Sequence, residues 1–198
     1  MTEILTHPDL SRPEAFTRAE LGWVPWIEPS AAEDLSERQV ESLVQPSRTA
    51  SPYFRLLADD PDVVEARTKA DLEIFQAKGG LERADRELAA AAVSRHNGCV
   101  FCASVHARFA AHYSKQPDLV DQLLDEGVGA ELGQRWNAVV AASVALTDTP
   151  VAFGADQVTQ LREAGLDDLE ISDVVHSAGF FNWANRLMLS LGEPENPS

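Results

Sequence analysis

"LERADRELAAAAVSRHNGCVFCASVHARFAA", residues 81–111, decides how this chain folds. Its first half is rich in Ala, Leu, Glu and Arg, which cost little to place in a helix. Asn97-Gly98 then interrupts the run with a pair suited to the left-handed turn that ends many helices. From Cys99 to about Ser114 the helical pattern resumes. The stretch therefore predicts two helices folded back on one another about Asn97-Gly98, an αα-hairpin.

Working outward, the same punctuation recurs. "DDPDVVEARTKADLEIFQAKGG" offers Asp60 as N-cap, Pro61 at the first helical position and Gly79-Gly80 as the stop. Pro117 opens a short helix that Gly127 closes, and "QRWNAVVAASVALTDTP" reads as a buried helix ended near Pro150. The run from Gly154 to Gly192 gives two more, broken at Gly165. Two-residue alternation is rare and β-branched residues do not cluster, so the expected fold class is all-α, a helical bundle. No repeat of solenoid length is present.

The expected organisation is a helical domain over residues 36–198 preceded by an N-terminal arm, residues 1–35. "LGWVPWIEPS" in that arm holds two Trp and two Pro with no helical period, and should run extended. Trp23 and Trp26 are too apolar to leave in water. The arm should pack on its own domain or on a neighbouring subunit, or else close as a lid over a substrate pocket.

Composition bounds the function. Against 32 Asp and Glu stand only 16 Lys and Arg, a net charge of −16. That field repels nucleic acid and anionic lipid, so neither nucleic acid nor a membrane is an expected partner. The first residues lack a basic and then an apolar region, and no stretch is long and apolar enough to span a bilayer. A cytoplasmic location is the resulting expectation. In that compartment two nearby cysteines are more often catalytic, redox-active or metal-binding than structural.

Cys99, Cys102 and His106 are spaced i, i+3, i+7 and share one helical stripe. Cys99 is placed in the first turn, where free N–H groups favour a thiolate. Cys102 precedes His106 by one turn, the spacing that brings a thiol to a base. Across the hairpin, Glu87 lies about ten residues before the pivot and His106 about eight after it, an offset of only about 3 Å along the axes. A carboxylate there would orient the ring and relay a proton. Two other readings stand beside a redox pair. The cysteines could be small core residues, or Cys99, Cys102, His106 and Glu87 could supply four ligands to zinc. A structural zinc site usually gathers separated segments, and no second Cys or His cluster is in view.

With Glu87, "NGCVFC" and His106 in place, the chain resembles the alkylhydroperoxidase AhpD and carboxymuconolactone decarboxylase superfamily, whose redox branch has a Glu twelve residues before Cys-x-x-Cys and a His four beyond. The wording of "FTRAELGWVPWIEP", "SPYFRLLADDP", "GLDDLEI" and "FFNWANRLMLSLG" is similar to its uncharacterised peroxidase-related group. The resemblance implies an AhpD-like helical fold and reduction of an organic hydroperoxide, a peroxiredoxin-type activity. It implies Cys102 as peroxidatic and Cys99 as resolving cysteine, with His106 and Glu87 as proton relay. No bound cofactor is implied, but an external dithiol reductant is; in AhpD a lipoylated protein supplies it. Family members form dimers, trimers or hexamers, so a homo-oligomer is expected. One departure is Phe101, where AhpD has a second His directly before the second cysteine. The alternatives are a lactone decarboxylase, which needs no dithiol, and a non-catalytic thiol redox sensor.

Other features carry less. His96 is expected to face solvent, His112 to complement the dipole near its helix end, and His176 to be a satisfied core or interface histidine. "GVGAELG" lacks the spacing and the preceding strand of a dinucleotide fingerprint. Phe75, Phe101 and Phe109 are candidates to line an apolar pocket beside the thiols. Phe180, Phe181, Trp183, Leu187 and Leu191 should serve the core or a subunit interface.

Overall fold

A computed structural model describes residues 4–197. After the arm come α1 (Glu37–Ser42), α2 (Pro52–Leu57) and α3 (Pro61–Gln76), with a 3₁₀ turn at Pro46–Ala50 between the first two. The central pair is α4 (Arg83–Asn97) and α5 (Val100–Ser114), followed by α6 (Pro117–Glu126), α7 (Gln134–Thr147), α8 (Ala155–Glu163) and α9 (Asp168–Leu191). The fold is all-α, with one small exception described below.

The hairpin forms because Gly98 takes the left-handed conformation, φ 78°, which a Cβ would strain. Ala89, Ala92, Ala103, Ala107 and Ala110 are all fully buried in one core cluster. Side chains that small let α4 and α5 approach closely. On its other sides α4 packs against α7 and α9, so it is the central helix and its polar residues must be satisfied internally. Arg86 is buried and donates to Asp173, Ile74 O and Gly79 O. Asp85 accepts from Arg135 and from the Trp136 indole.

Two expectations need correction. Cys99 is not inside the helix: its φ/ψ of −82°/86° is non-helical and α5 begins at Val100. A residue leaving left-handed Gly98 must re-enter helical space, and Cys99 does so as the N-cap, its carbonyl accepting from the Ala103 N–H at 2.9 Å. The second concerns strands. Gly22–Pro25 (β1) and Gly192–Glu195 (β2) pair antiparallel, with Trp23 opposite Pro194. "GEPE" carries no strand signal; in a two-stranded ladder both members are edges, where Pro is tolerated.

That ladder ties the arm to its own domain. Arg12 pairs with Glu193, Arg18 with Asp121, and Arg108 donates to Ala19 O. Trp23 is buried and Trp26 half-buried. A Cβ at Gly192 would collide with the Trp23 indole and with Val24 O, so the end of α9 fits the arm only as glycine. Among the described residues no helix is long and apolar enough to cross a membrane.

Candidate active site

Folding α4 against α5 brings Glu87 to His106. His106 Nδ1–H donates to Glu87 Oε2 at 2.5 Å, and both residues are buried. The other carboxylate oxygen, Oε1, accepts from Arg83 Nε at 2.6 Å. Arg83 precedes Glu87 by four residues on α4, one turn away. Its guanidinium also donates to Phe75 O at the end of α3. A buried carboxylate is costly unless its lone pairs are used; here Arg83 and His106 use both oxygens.

With Nδ1 engaged by Glu87, the basic nitrogen left on His106 is Nε2. The ring is fixed by aromatics as well as by the carboxylate. Phe181 of α9 meets it at 3.8 Å between centroids, nearly edge-on, and Phe75 of α3 at 5.4 Å. An imidazole held from three sides cannot rotate away from Glu87, and its free nitrogen keeps one direction.

Cys102 lies in the first turn of α5, one turn before His106, and Cys99 caps that helix. Their Cα atoms are 5.4 Å apart and the sulfurs are paired as a disulfide. Both cysteines are buried. The pair sits among Trp23, Tyr53, Phe75, Ala90, Val93 and Phe181, apolar surroundings that keep bulk water from the sulfurs.

Cys102, His106 and Glu87 line one wall of a cavity of about 480 Å³. Phe75, Phe101 and Phe109 all line it, as does Phe181. Trp23 of the arm contributes too, so the arm both packs on its own domain and forms part of the cavity wall. The volume falls in the range of small-molecule sites.

The remaining histidines lie elsewhere. His96 is exposed and 3.2 Å from Asp148. His112 is in the last turn of α5, edge-on to Tyr113. His176 is exposed on α9, so of the core and interface positions expected for it the core is excluded: Val174, Ser177 and Ala178 take the inward positions around it. Among the described residues no three His, Cys, Asp or Glu side chains converge as a metal site.

Sequence reasoning missed Arg83, although its i, i+4 spacing to Glu87 was legible. It also missed Arg48, Tyr53, Arg67 and Asp71, which line the cavity from the preceding segments. Only the Arg67–Asp71 spacing signalled a pair there.

Residues 61–145 match the Carboxymuconolactone decarboxylase family. That match runs from the start of α3 to near the end of α7, less than half of the chain. A comparison with curated proteins gives no match. Among solved structures, this chain is similar to an uncharacterized peroxidase-related protein from Ralstonia eutropha JMP134, an alkylhydroperoxidase AhpD core. The TM-score is 0.74 at 21% identity, covering 87% of this chain and 93% of that one. An uncharacterized peroxidase-related protein from Silicibacter sp. TM1040 gives 0.70 at 22%, covering 93% and 95%. The debrominase Bmp8 gives 0.66 at 13%, covering 82% and 87%. At these identities the likeness is one of fold, an AhpD-like helical architecture.

Proposed function

We propose that this protein is a peroxidase-related enzyme that reduces organic hydroperoxides with an external dithiol, using Cys99 and Cys102 as its redox couple. The observation that carries this reading is the buried Glu87–His106 hydrogen bond, set one helical turn from Cys102 in an aromatic cavity. A carboxylate-oriented imidazole beside a thiol is the arrangement that generates a thiolate at neutral pH.

In the reduced protein His106 Nε2 takes the Cys102 thiol proton while Glu87 holds Nδ1–H. The thiolate attacks the hydroperoxide, breaking the O–O bond. One oxygen joins sulfur as a sulfenic acid, and the other leaves as the alcohol with the proton. Cys99 then attacks the Cys102 sulfur, forming the disulfide and releasing water. An external dithiol, carried by a reductant protein, supplies two electrons and two protons to reopen it and becomes a disulfide itself. The AhpD-like architecture and the family match over residues 61–145 support this assignment, which also takes in a cytoplasmic homo-oligomer.

Consumption of cumene hydroperoxide with dihydrolipoamide, measured for wild type, Cys102→Ser and Cys99→Ser, tests the proposal. Turnover in wild type and loss in both variants is expected. Equal rates in all three would overturn it. One stoichiometric oxidation without cycling would instead mark a thiol sensor, and a dithiol-independent activity toward lactones would mark a decarboxylase.

A further inference from the structure

The second wall of the cavity has a chemistry the redox cycle does not use. Arg48, Arg67 and Asp71 meet there, from the 3₁₀ turn before α2 and from α3. Asp71 Oδ2 accepts from Arg48 at 3.1 Å and from Arg67 at 3.2 Å. Two guanidinium groups thus share one carboxylate oxygen. Both stack on Phe54, with guanidinium carbons 4.3 and 5.2 Å from the ring centroid, and Arg67 also lies 5.1 Å from the Phe180 ring. Aromatic faces hold these groups without neutralising them.

Charge is unbalanced on this scale. The ionised groups lining the cavity are Arg48, Arg67 and Arg83 against Asp71 and Glu87, one positive charge in excess within a chain of net charge −16. Three donors of cavity-lining residues are buried without a partner among the described residues: Arg67 Nε, Tyr53 O–H and Trp23 Nε1. Buried donors without a partner are unusual in a folded protein. Burial also lowers the Arg48 pKa and raises that of Tyr53, so a bound anion would relieve the first while the second stays a donor.

We infer that Arg48 and Arg67 form an anion subsite that selects substrates carrying a carboxylate on an apolar stem. This rests on the cavity being the substrate site proposed above. The stem would lie along the aromatic wall of Phe75, Phe101 and Phe181, with its reacting end at Cys102. Arg67 and Phe75 are both on α3, eight residues or about 12 Å apart along the axis. Phe75 touches His106, so carboxylate and hydroperoxide should be separated by a comparable length.

Binding of 4-phenylbutyrate and of its neutral amide to the full chain, followed by tryptophan fluorescence, tests this without any catalytic step. The acid should bind at least about tenfold more tightly than the amide, because a charge-assisted bond to a partly desolvated guanidinium discriminates strongly. Arg67→Gln and Arg48→Gln should each shrink that ratio. Equal binding of acid and amide to wild type, or no binding of either, overturns the subsite. An acid preference that survives both substitutions overturns the assignment to these arginines. The wild-type comparison needs no variant to fold. A preference for acid alongside absent hydroperoxide turnover would strike the proposed activity and leave the subsite standing.

Discussion

Glu87 and His106, nineteen residues apart in sequence, are joined by a 2.5 Å hydrogen bond inside the protein. The bond exists because the Asn97-Gly98 turn places α4 and α5 side by side and because the alanines between them allow close approach.

Removing the charge at Glu87 leaves the imidazole without its orienting partner. Glu87→Gln should lower kcat/KM for hydroperoxide by about 10²-fold or more, within the range general acid–base groups contribute. His106→Asn should do the same. The double variant should be little worse than either alone, because the two act as one unit. Steady-state rates of the three variants check this, and additive losses would separate the residues functionally.

Arg83 compensates the buried Glu87 charge and ties α4 to the end of α3. Arg83→Met should reduce stability by about 1–3 kcal/mol, less than for a fully buried partner because Arg83 is partly exposed. Urea unfolding provides the measurement. A variant as stable as wild type would mean that Glu87 finds another partner.

Gly192 has no room for a side chain against Trp23. Gly192→Ala should push the indole out of the cavity wall, with a stability cost of about 1–3 kcal/mol typical of overpacking. Tryptophan emission should shift to the red and proteases should cut the arm more readily. Unchanged emission and proteolysis would show that the arm is not held at this point.

The arm should also loosen in acid. Hydrogen bonding to Arg18 holds the Asp121 carboxyl below its ordinary value of 3.8. A carboxyl whose folded pKa is depressed adds stability above its unfolded pKa and loses it as pH falls through the lower folded value. The arm's attachment through Arg18 should therefore be intact above about pH 4 and weaken below it, with screening by salt. Limited proteolysis with pepsin between pH 4 and pH 2 should cut the arm progressively faster. Asp121→Asn should cut readily at both ends of that range.

Much of this was legible in the sequence, for particular reasons. The Ala-rich run, the Asn97-Gly98 break and the Cys-x-x-Cys-x₃-His spacing are local signals, and they foretell the hairpin and the four residues on its facing sides. Cys99 as N-cap was one residue beyond what spacing resolves. Arg48, Tyr53 and Arg67 were hidden because they approach the cavity from other segments, through tertiary packing that no local period encodes. The β1–β2 ladder was hidden because it owes more to burying Trp23 than to strand propensity. The core position considered for His176 fails because a histidine in an apolar run can still face outward on a long helix.

The central claim is that Cys102 attacks the hydroperoxide. Cys99→Ser leaves Cys102 as the only cysteine in the chain. Treating that reduced variant with one equivalent of cumene hydroperoxide in the presence of dimedone, followed by mass spectrometry of the intact protein, reads the sulfenic acid directly. One dimedone adduct is predicted, and its yield should fall sharply when His106 is also replaced by Asn. A free thiol left unmodified after the hydroperoxide treatment would contradict the account.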